Sequence, residues 1–225
     1  TIFPDLEVEA PSIAKNTTQK RDFSTFTDFE ELELPAYFKS LRQPLKKHPK
    51  LSLSERPGWL RLYGEQSPSS LHKQTLVARR WQHFSFRAET VMAFEPKNFQ
   101  QIAGLILFYD TDNWHYLHVS YDESTAEKYI QLEINDVNHM SYASERIMIE
   151  ANQPITLAVE VARDKAQFFF AVGDQELQAI GDKTPADHLS DDYIKANGKL
   201  AFTGAMVGLC AQDMDDHSSF ADFDF

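Results

Sequence analysis

Apolar and polar residues alternate along most of the chain after about residue 51. Apolar or small side chains occupy every second position from Phe84 to Phe94, with Ser85, Arg87 and Glu89 between them. Such alternation is typical of half-buried β-strands, because successive side chains point to opposite faces of a sheet. The same pattern predicts further strands at residues 130–134, 155–161, 167–172, 207–211 and 220–225.

Helical periodicity is weak and confined to about residues 185–196. Many short strands without alternating long helices predict an all-β fold, a two-sheet antiparallel β-sandwich or jelly roll. No internal repeat of fixed period occurs, which argues against a propeller within this chain.

Residues 99–122 carry a dense aromatic pattern. The part from 102 to 109 is apolar on both faces, which predicts a central strand covered on both sides, and a short polar turn follows it. The next strand places Trp114, Tyr116 and His118 on one face and leucine and valine on the other. We therefore expect one core face and one aromatic surface able to meet a sugar or a partner domain.

The composition indicates a folded domain. Of 225 residues, 42% are hydrophobic and 12% aromatic, including 17 Phe, which is enough to bury a core. All-β domains often reach this size, so we predict one domain, residues 22–225, preceded by a linker, residues 1–21, that is rich in polar residues and shows little periodicity.

The net charge of −12 excludes several partner classes. Nucleic acid and anionic membranes select clustered Lys and Arg, and the basic runs here are short, so we predict neither partner. The chain has one cysteine, Cys210, and hence no internal disulfide. It also shows no leader-like or membrane-spanning segment, and with the single cysteine this predicts a cytoplasmic location.

Candidate metal ligands are few. His115 and His118 stand three apart, which on a strand places them on opposite faces, so we predict edge or surface histidines without a shared metal. Residues 110–114 begin like a calcium loop, but Trp114 takes the place of an oxygen ligand, and we predict a turn. The acidic residues 213–217 leave calcium open as an alternative. Our prediction is that the chain holds no metal and no cofactor.

Six segments, spread in order from residue 56 to the end of the chain, carry recognisable motifs: 56–64 (RPGWLRLYG), 74–80 (QTLVARR), 99–105 (FQQIAGL), 113–117 (NWHYL), 202–208 (FTGAMVG) and 221–225 (ADFDF). In this unbroken order they resemble the C-terminal β-sandwich domain of family 43 glycoside hydrolases of the β-xylosidase type. The resemblance implies a concanavalin A-like sandwich. It also implies that residues 1–21 descend from a linker behind a five-bladed propeller catalytic domain of the same parent chain.

The resemblance implies no catalytic residue in this chain. Glycoside hydrolysis commonly uses two carboxyl groups that face the scissile bond. In the family these groups lie in the propeller, and the Glu-x-Asp-x-Glu pattern of sandwich-fold glucanases is absent here. We therefore predict that this chain alone is inactive and meets xylo-oligosaccharides only indirectly. A homo-oligomer formed through the parent protein stays open.

One loop is implied to reach the propeller's substrate pocket. It contains Phe202, Thr203, Gly204 and Met206, and glycine lets such a turn bend freely. Family members usually carry Phe at the second apolar place, where this chain has Met206. The alternative is that Phe202 and Met206 only pack in the core near the start of a strand.

Two functions follow. The first is an accessory domain of a β-xylosidase or α-arabinofuranosidase that docks on the propeller and closes its pocket. The second is an autonomous carbohydrate-binding module for xylo-oligosaccharides. Four aromatic residues are expected to be exposed and to serve either role, as a sugar platform or as an interdomain patch: Trp59, Tyr63, Trp114 and Tyr116.

Overall fold

The computed structural model describes residues 24–149 and 152–224. Within them the strands are β1 (Phe38–Lys39), β2 (Leu51–Ser52), β3 (Leu60–Tyr63), β4 (Thr75–Arg80), β5 (Ser85–Phe94), β6 (Gln101–Asp110), β7 (Asn113–Asp122), β8 (Glu127–Asp136), β9 (His139–Tyr142), β10 (Ile147–Ile149), β11 (Ile155–Ala162), β12 (Lys165–Val172), β13 (Gln178–Pro185), β14 (Met206–Asp213) and β15 (Phe220–Asp224). Short 3-10 helices span Leu45–Lys47 and Ala186–Leu189, and α1 spans Asp191–Ala196.

The strands form two antiparallel sheets. The eight-stranded sheet has the order β1-β4-β14-β6-β7-β8-β10, with β9 also paired to β8, and the seven-stranded sheet has the order β13-β12-β11-β5-β15-β3-β2. Strands far apart in the chain, such as β4 and β14, lie side by side. The predicted two-sheet antiparallel β-sandwich is confirmed.

The main core lies between the two sheets, where the alternating rows meet. Every second residue of β11, from Ile155 to Val161, is buried, and so are Phe168 and Phe170 of β12. The central strand β6 is buried on both faces along most of its length, as its continuous apolar sequence predicted. Burial of these side chains is the dominant favourable term in folding.

The outer face of the eight-stranded sheet carries a second, smaller apolar layer. Its buried members come from β4, β6, β7 and β14: Leu76, Ala78, Ile106, Phe108, Trp114, Tyr116 and Cys210. Close approach of neighbouring strands requires glycine there, since a Cβ on Gly104 would lie 2.1 Å from the carbonyl oxygen of Leu117. This face of the sheet is therefore partly covered by its own side chains.

The predicted helical piece near residues 185–196 is confirmed as the second 3-10 helix followed by α1. Ser190 caps α1, since its Oγ accepts a hydrogen bond from the backbone N–H of Tyr193 at 3.2 Å. One expectation is wrong: Phe84 precedes β5 and is exposed, whereas Phe86 to Phe94 follow the predicted row. The predicted linker, residues 1–21, lies outside the described residues.

Candidate functional site

The loop that leads into β14 projects Phe202 away from the sandwich. Phe202 and Thr203 are exposed, and Gly204 has a φ of 70°, a backbone conformation that favours glycine. Arg80 donates a hydrogen bond to the carbonyl oxygen of Thr203, and the backbone N–H of Trp81 donates to Ala205 O at 3.0 Å. The base of the loop is thus tied to the end of β4.

Phe202 and Met206 differ in their surroundings. Met206, the first residue of β14, is half-buried and packs against the apolar layer on the outer face of the eight-stranded sheet. Phe202 is 80% exposed, and the ammonium nitrogen of Lys195 lies 5.7 Å from the centroid of its ring. The alternative that both residues pack in the core is therefore wrong for Phe202.

Other apolar side chains are exposed at the same end of the sandwich. Three of them, from the entering segment, the β4–β5 connection and the β14 loop, are mostly solvent-accessible, as is Phe202 at 80%: Phe26 72%, Phe84 87% and Leu200 86%. Arg79 donates a hydrogen bond to Thr25 Oγ1, which ties the entering segment to β4 beside this loop. A cavity of about 390 Å³ opens here, lined in part by Phe26, Trp81 and His83.

Trp59 and Tyr63 lie on the seven-stranded sheet and its approach, and both are half-buried. The guanidinium of Arg56 lies 3.6 Å from the centroid of the Trp59 ring, a cation–π contact. Tyr63 donates a hydrogen bond to Glu55 and meets the Phe220 ring edge-on at 5.7 Å. These rings take part in a network of local contacts on the outer face of this sheet.

Trp114 and Tyr116 are not exposed, and the expectation that they form an aromatic surface is wrong. Each is 1% exposed. Trp114 Nε1 donates to Ser69 Oγ at 3.2 Å, and the Tyr116 hydroxyl donates to the Cys210 carbonyl oxygen at 2.8 Å. Both rings lie on the outer face as predicted, but the chain around them covers that face, so neither ring offers a free platform.

A pocket of about 570 Å³ nevertheless opens on that outer face. Trp114, Tyr116 and His118 contribute to its lining from β7, and Glu133 from β8. The antiparallel register sets Glu133 directly between Tyr116 of β7 and Tyr142 of β9. Phe99 and Arg146 also line this pocket. Alternation within each strand predicts these faces, but sequence reasoning missed the pocket because the register between strands was unknown.

The titratable groups of the pocket are strongly perturbed. Burial, with a smaller contribution from Arg146, lowers the pKa of His118 to about 3, and burial raises the pKa of Glu133 to about 7. Their nearest side-chain atoms, His118 Nε2 and Glu133 Oε2, are 3.6 Å apart, too far for a hydrogen bond. The buried floor of the pocket therefore favours the uncharged forms of both side chains, the neutral imidazole of His118 and the protonated carboxyl of Glu133.

The candidate metal ligands do not converge. His115 forms a hydrogen bond with Thr184 Oγ1 at 3.0 Å in the core, whereas His118 lies on the outer face, as the three-residue spacing predicted. Both histidines are buried, so their expected place at an edge or surface is wrong. Residues 110–113 form the predicted turn, and Asp110 Oδ1 accepts from the backbone N–H of Asp112 at 2.9 Å.

Asp213, at the start of the acidic loop, is buried and serves the loop itself. Its carboxylate accepts hydrogen bonds from the backbone N–H groups of Asp215 and Ser219 at 3.0 and 2.9 Å. Across the described ranges, no group of three or more His, Cys, Asp and Glu side chains could hold a metal ion. Nor does that part of the chain contain a helix long and apolar enough to cross a bilayer.

The amino-acid sequence is similar to those of known beta-xylosidases. The chain is 37% identical over 222 residues to the beta-xylosidase of Bacillus subtilis and 38% identical over 200 residues to a putative beta-xylosidase of Escherichia coli, covering 97% and 88% of this chain. It covers only 40% and 37% of those relatives, respectively. It thus spans less than half the length of either protein.

Solved structures give the same picture. The chain superimposes on the xylan beta-1,4-xylosidase of Bacillus halodurans with a TM-score of 0.84 and 33% identity, over 96% of this chain and 41% of that one. A sequence profile for the beta xylosidase C-terminal concanavalin A-like domain matches residues 27–225. The chain belongs to this family, the concanavalin A-like C-terminal domains of family 43 beta-xylosidases.

Proposed function

We propose that this chain is the accessory C-terminal domain of a xylan-degrading glycoside hydrolase, docking on a propeller catalytic domain and closing its substrate pocket. The observation that carries the proposal is the exposed apolar end around Phe202. The family membership and the share of each relative that the chain spans support a larger parent protein that contains a catalytic domain.

The exposed end has the composition of a contact surface. Phe26, Phe84, Leu200 and Phe202 are all large, apolar and mostly solvent-accessible, and contacts of Arg79 and Arg80 join the segments that bear them. Clustered apolar exposure of this kind marks interaction sites in soluble proteins. The first described residues of the chain, from Ser24 to Phe26, also lie at this end and line its cavity.

Phe202 is suited to close a pocket, because its ring projects from an anchored turn. The hydrogen bonds from Arg80 and Trp81 hold the base of the loop, while the ring itself extends into solvent. An aromatic face can pack against a sugar ring and exclude water from it. Met206 packs back on its own sheet, so Phe202 is the residue to which we assign the contact.

The test substitutes Phe202→Ala in a protein that joins this chain to a family 43 propeller catalytic domain. Loss of the ring should lower kcat/KM for aryl β-xylosides by about tenfold, equivalent to about 1.4 kcal/mol. Leu71→Ala is the matched control, because Leu71 is also exposed but precedes β4, at its opposite end from Arg80. Equal kcat/KM values for Phe202→Ala and the unaltered protein would contradict pocket closure.

A second experiment addresses catalysis by the chain itself. The isolated chain should not hydrolyse aryl xylosides, because we assign the acid and base to the catalytic domain. Turnover that a single carboxylate substitution in this chain abolishes would contradict the assignment.

A further inference from the structure

The pocket on the outer face of the eight-stranded sheet has the size and lining of a ligand site. Its volume of about 570 Å³ lies within the roughly 300–1,000 Å³ usual for small-molecule sites. None of the residues that line it belongs to the exposed end around Phe202. The pocket and the exposed end around Phe202 are therefore two different surface features of the described residues.

His118 is the feature that points to a ligand. Its side chain is almost completely buried and lines the pocket, yet neither ring nitrogen has a hydrogen-bond partner among the described residues. A neutral imidazole has one N–H donor and one acceptor nitrogen. Leaving both unpaired in a buried site is costly, so a group that both donates and accepts is the natural complement.

The walls of the pocket add apolar rings. Phe99 and Tyr142 line it and are exposed, Phe99 to 61% and Tyr142 to 64%. Tyr142 stands opposite Glu133 in the register of β8 and β9, so its ring borders the polar floor. Flat rings beside hydrogen-bonding groups suit a ligand with both C–H faces and hydroxyl groups, as sugar rings have.

The charges of the pocket favour a neutral ligand. Arg146 is paired with Asp122, Nη1 to Oδ2 at 2.9 Å, and it also lies 4.4 Å from the centroid of the Tyr129 ring. Glu133 is desolvated, and the resulting rise of its pKa keeps its carboxyl partly protonated near pH 7. An acidic ligand would lie beside the carboxyl groups of Asp122 and Glu133, which would repel it when they are ionised. A cationic ligand would lie beside the Arg146 guanidinium and could form an ion pair with Glu133 only if Glu133 is ionised.

We propose that this pocket is a binding site for a short neutral oligosaccharide, with Phe99 and Tyr142 against the sugar rings and His118 and Glu133 bonded to hydroxyl groups. None of the residues that line this site is among the exposed apolar residues around Phe202. A sandwich with both features would hold a polysaccharide chain on one surface while its loop serves the catalytic domain at another.

The test is calorimetric titration of the 225-residue chain with xylotetraose and with cellotetraose. We expect saturable binding of at least one of them with one site per chain. Tyr142→Ala should weaken that binding about tenfold, a change of about 1.4 kcal/mol, because it removes the ring that stacks on the sugar. Leu32→Ala, at a side chain that is 74% exposed and lies outside the lining of the pocket, should leave it unchanged.

His118→Gln tests the floor of the pocket, and Tyr142→Ala keeps the test valid if that buried variant does not fold. Two results would overturn the proposal. They are no binding of either tetrasaccharide at millimolar concentration, and binding that Tyr142→Ala leaves unaffected. Failure here would leave the Phe202→Ala experiment unaffected, because that experiment reads out hydrolysis by the catalytic domain.

Discussion

Arg61 and Asp222 form a bidentate ion pair on the outer face of the seven-stranded sheet. Arg61 Nε donates to Asp222 Oδ1 at 2.7 Å, and Nη2 donates to Oδ2 at 2.9 Å. The two residues face each other across β3 and β15, and Arg56 Nη1 adds a third bond to Oδ2 at 3.1 Å. Asp222 is buried, although it lies on the outer face of its sheet.

Asp222→Ala should be strongly destabilising, because it removes the buried carboxylate that binds both Arg61 and Arg56 and leaves Arg61 paired only with the exposed Glu55. Removing one member of a buried ion pair typically costs about 3–5 kcal/mol, and partial exposure of Arg56 places the expected loss near the lower end. Urea unfolding of the two proteins measures it. Glu160→Ala is the control, since it breaks the exposed pair with Arg87 and should cost at most about 1 kcal/mol. Equal losses in the two variants would contradict this difference.

Glu133 should make the chain less stable in alkali. Burial raises its pKa to about 7 from an ordinary 4.5, so the folded chain holds this proton more tightly than the unfolded chain. The contribution of this proton to the free energy of unfolding is fully present below pH 4.5 and is lost as pH rises through 7. Glu133→Gln should therefore be more stable than the unaltered chain at pH 8, by ~1–3 kcal/mol. Unfolding midpoints at pH 5 and pH 8 measure it, and a variant with an unchanged pH profile would contradict it.

The buried histidines should make the folded chain less stable in acid, which is the opposite pH dependence to that of Glu133. Burial is the main reason that the pKa of His115 falls to about 4 and that of His118 to about 3. The unfolded chain takes up these protons below pH 6.5 and the folded chain does not, so stability is complete above 6.5 and falls as pH approaches 4. His115→Asn should make the free energy of unfolding depend less steeply on pH, by about 1.4 kcal/mol per pH unit between pH 6.5 and about pH 4.

Urea unfolding at pH 4.5 and pH 7 tests the histidine prediction. His72→Gln is the matched control, because His72 is exposed in the folded chain and should leave the profile unchanged. A His115→Asn profile as steep as that of the unaltered chain would argue against buried neutral imidazoles.

The thiol of Cys210 should be unreactive in the folded chain. The thiol is fully buried on β14, and burial raises its pKa to about 12, which leaves almost no reactive thiolate at pH 8. A thiol-specific chromogenic reagent should detect no thiol in the native chain and one per chain in urea. Rapid labelling under native conditions would show that β14 opens locally.

Much of the fold followed from the sequence, because strand periodicity is a local property. The rows in β5 and β11 indicated which side chains enter the core, and the weak helical pattern indicated α1. The segments at 56–64, 99–105 and 202–208 carried the family, which the comparison then showed. These features depend on residues close together in the chain.

The candidate sites depended on contacts between distant residues. Alternation placed Trp114 and Tyr116 on the outer face, yet only the packing of Ser69 and Cys210 against them determined that they are buried. The register of three strands brought Glu133 between two tyrosines and made a pocket. Sequence by itself determined which face of its strand each residue occupies. Tertiary structure alone decided whether that face meets water, because its cover comes from segments far away in the chain.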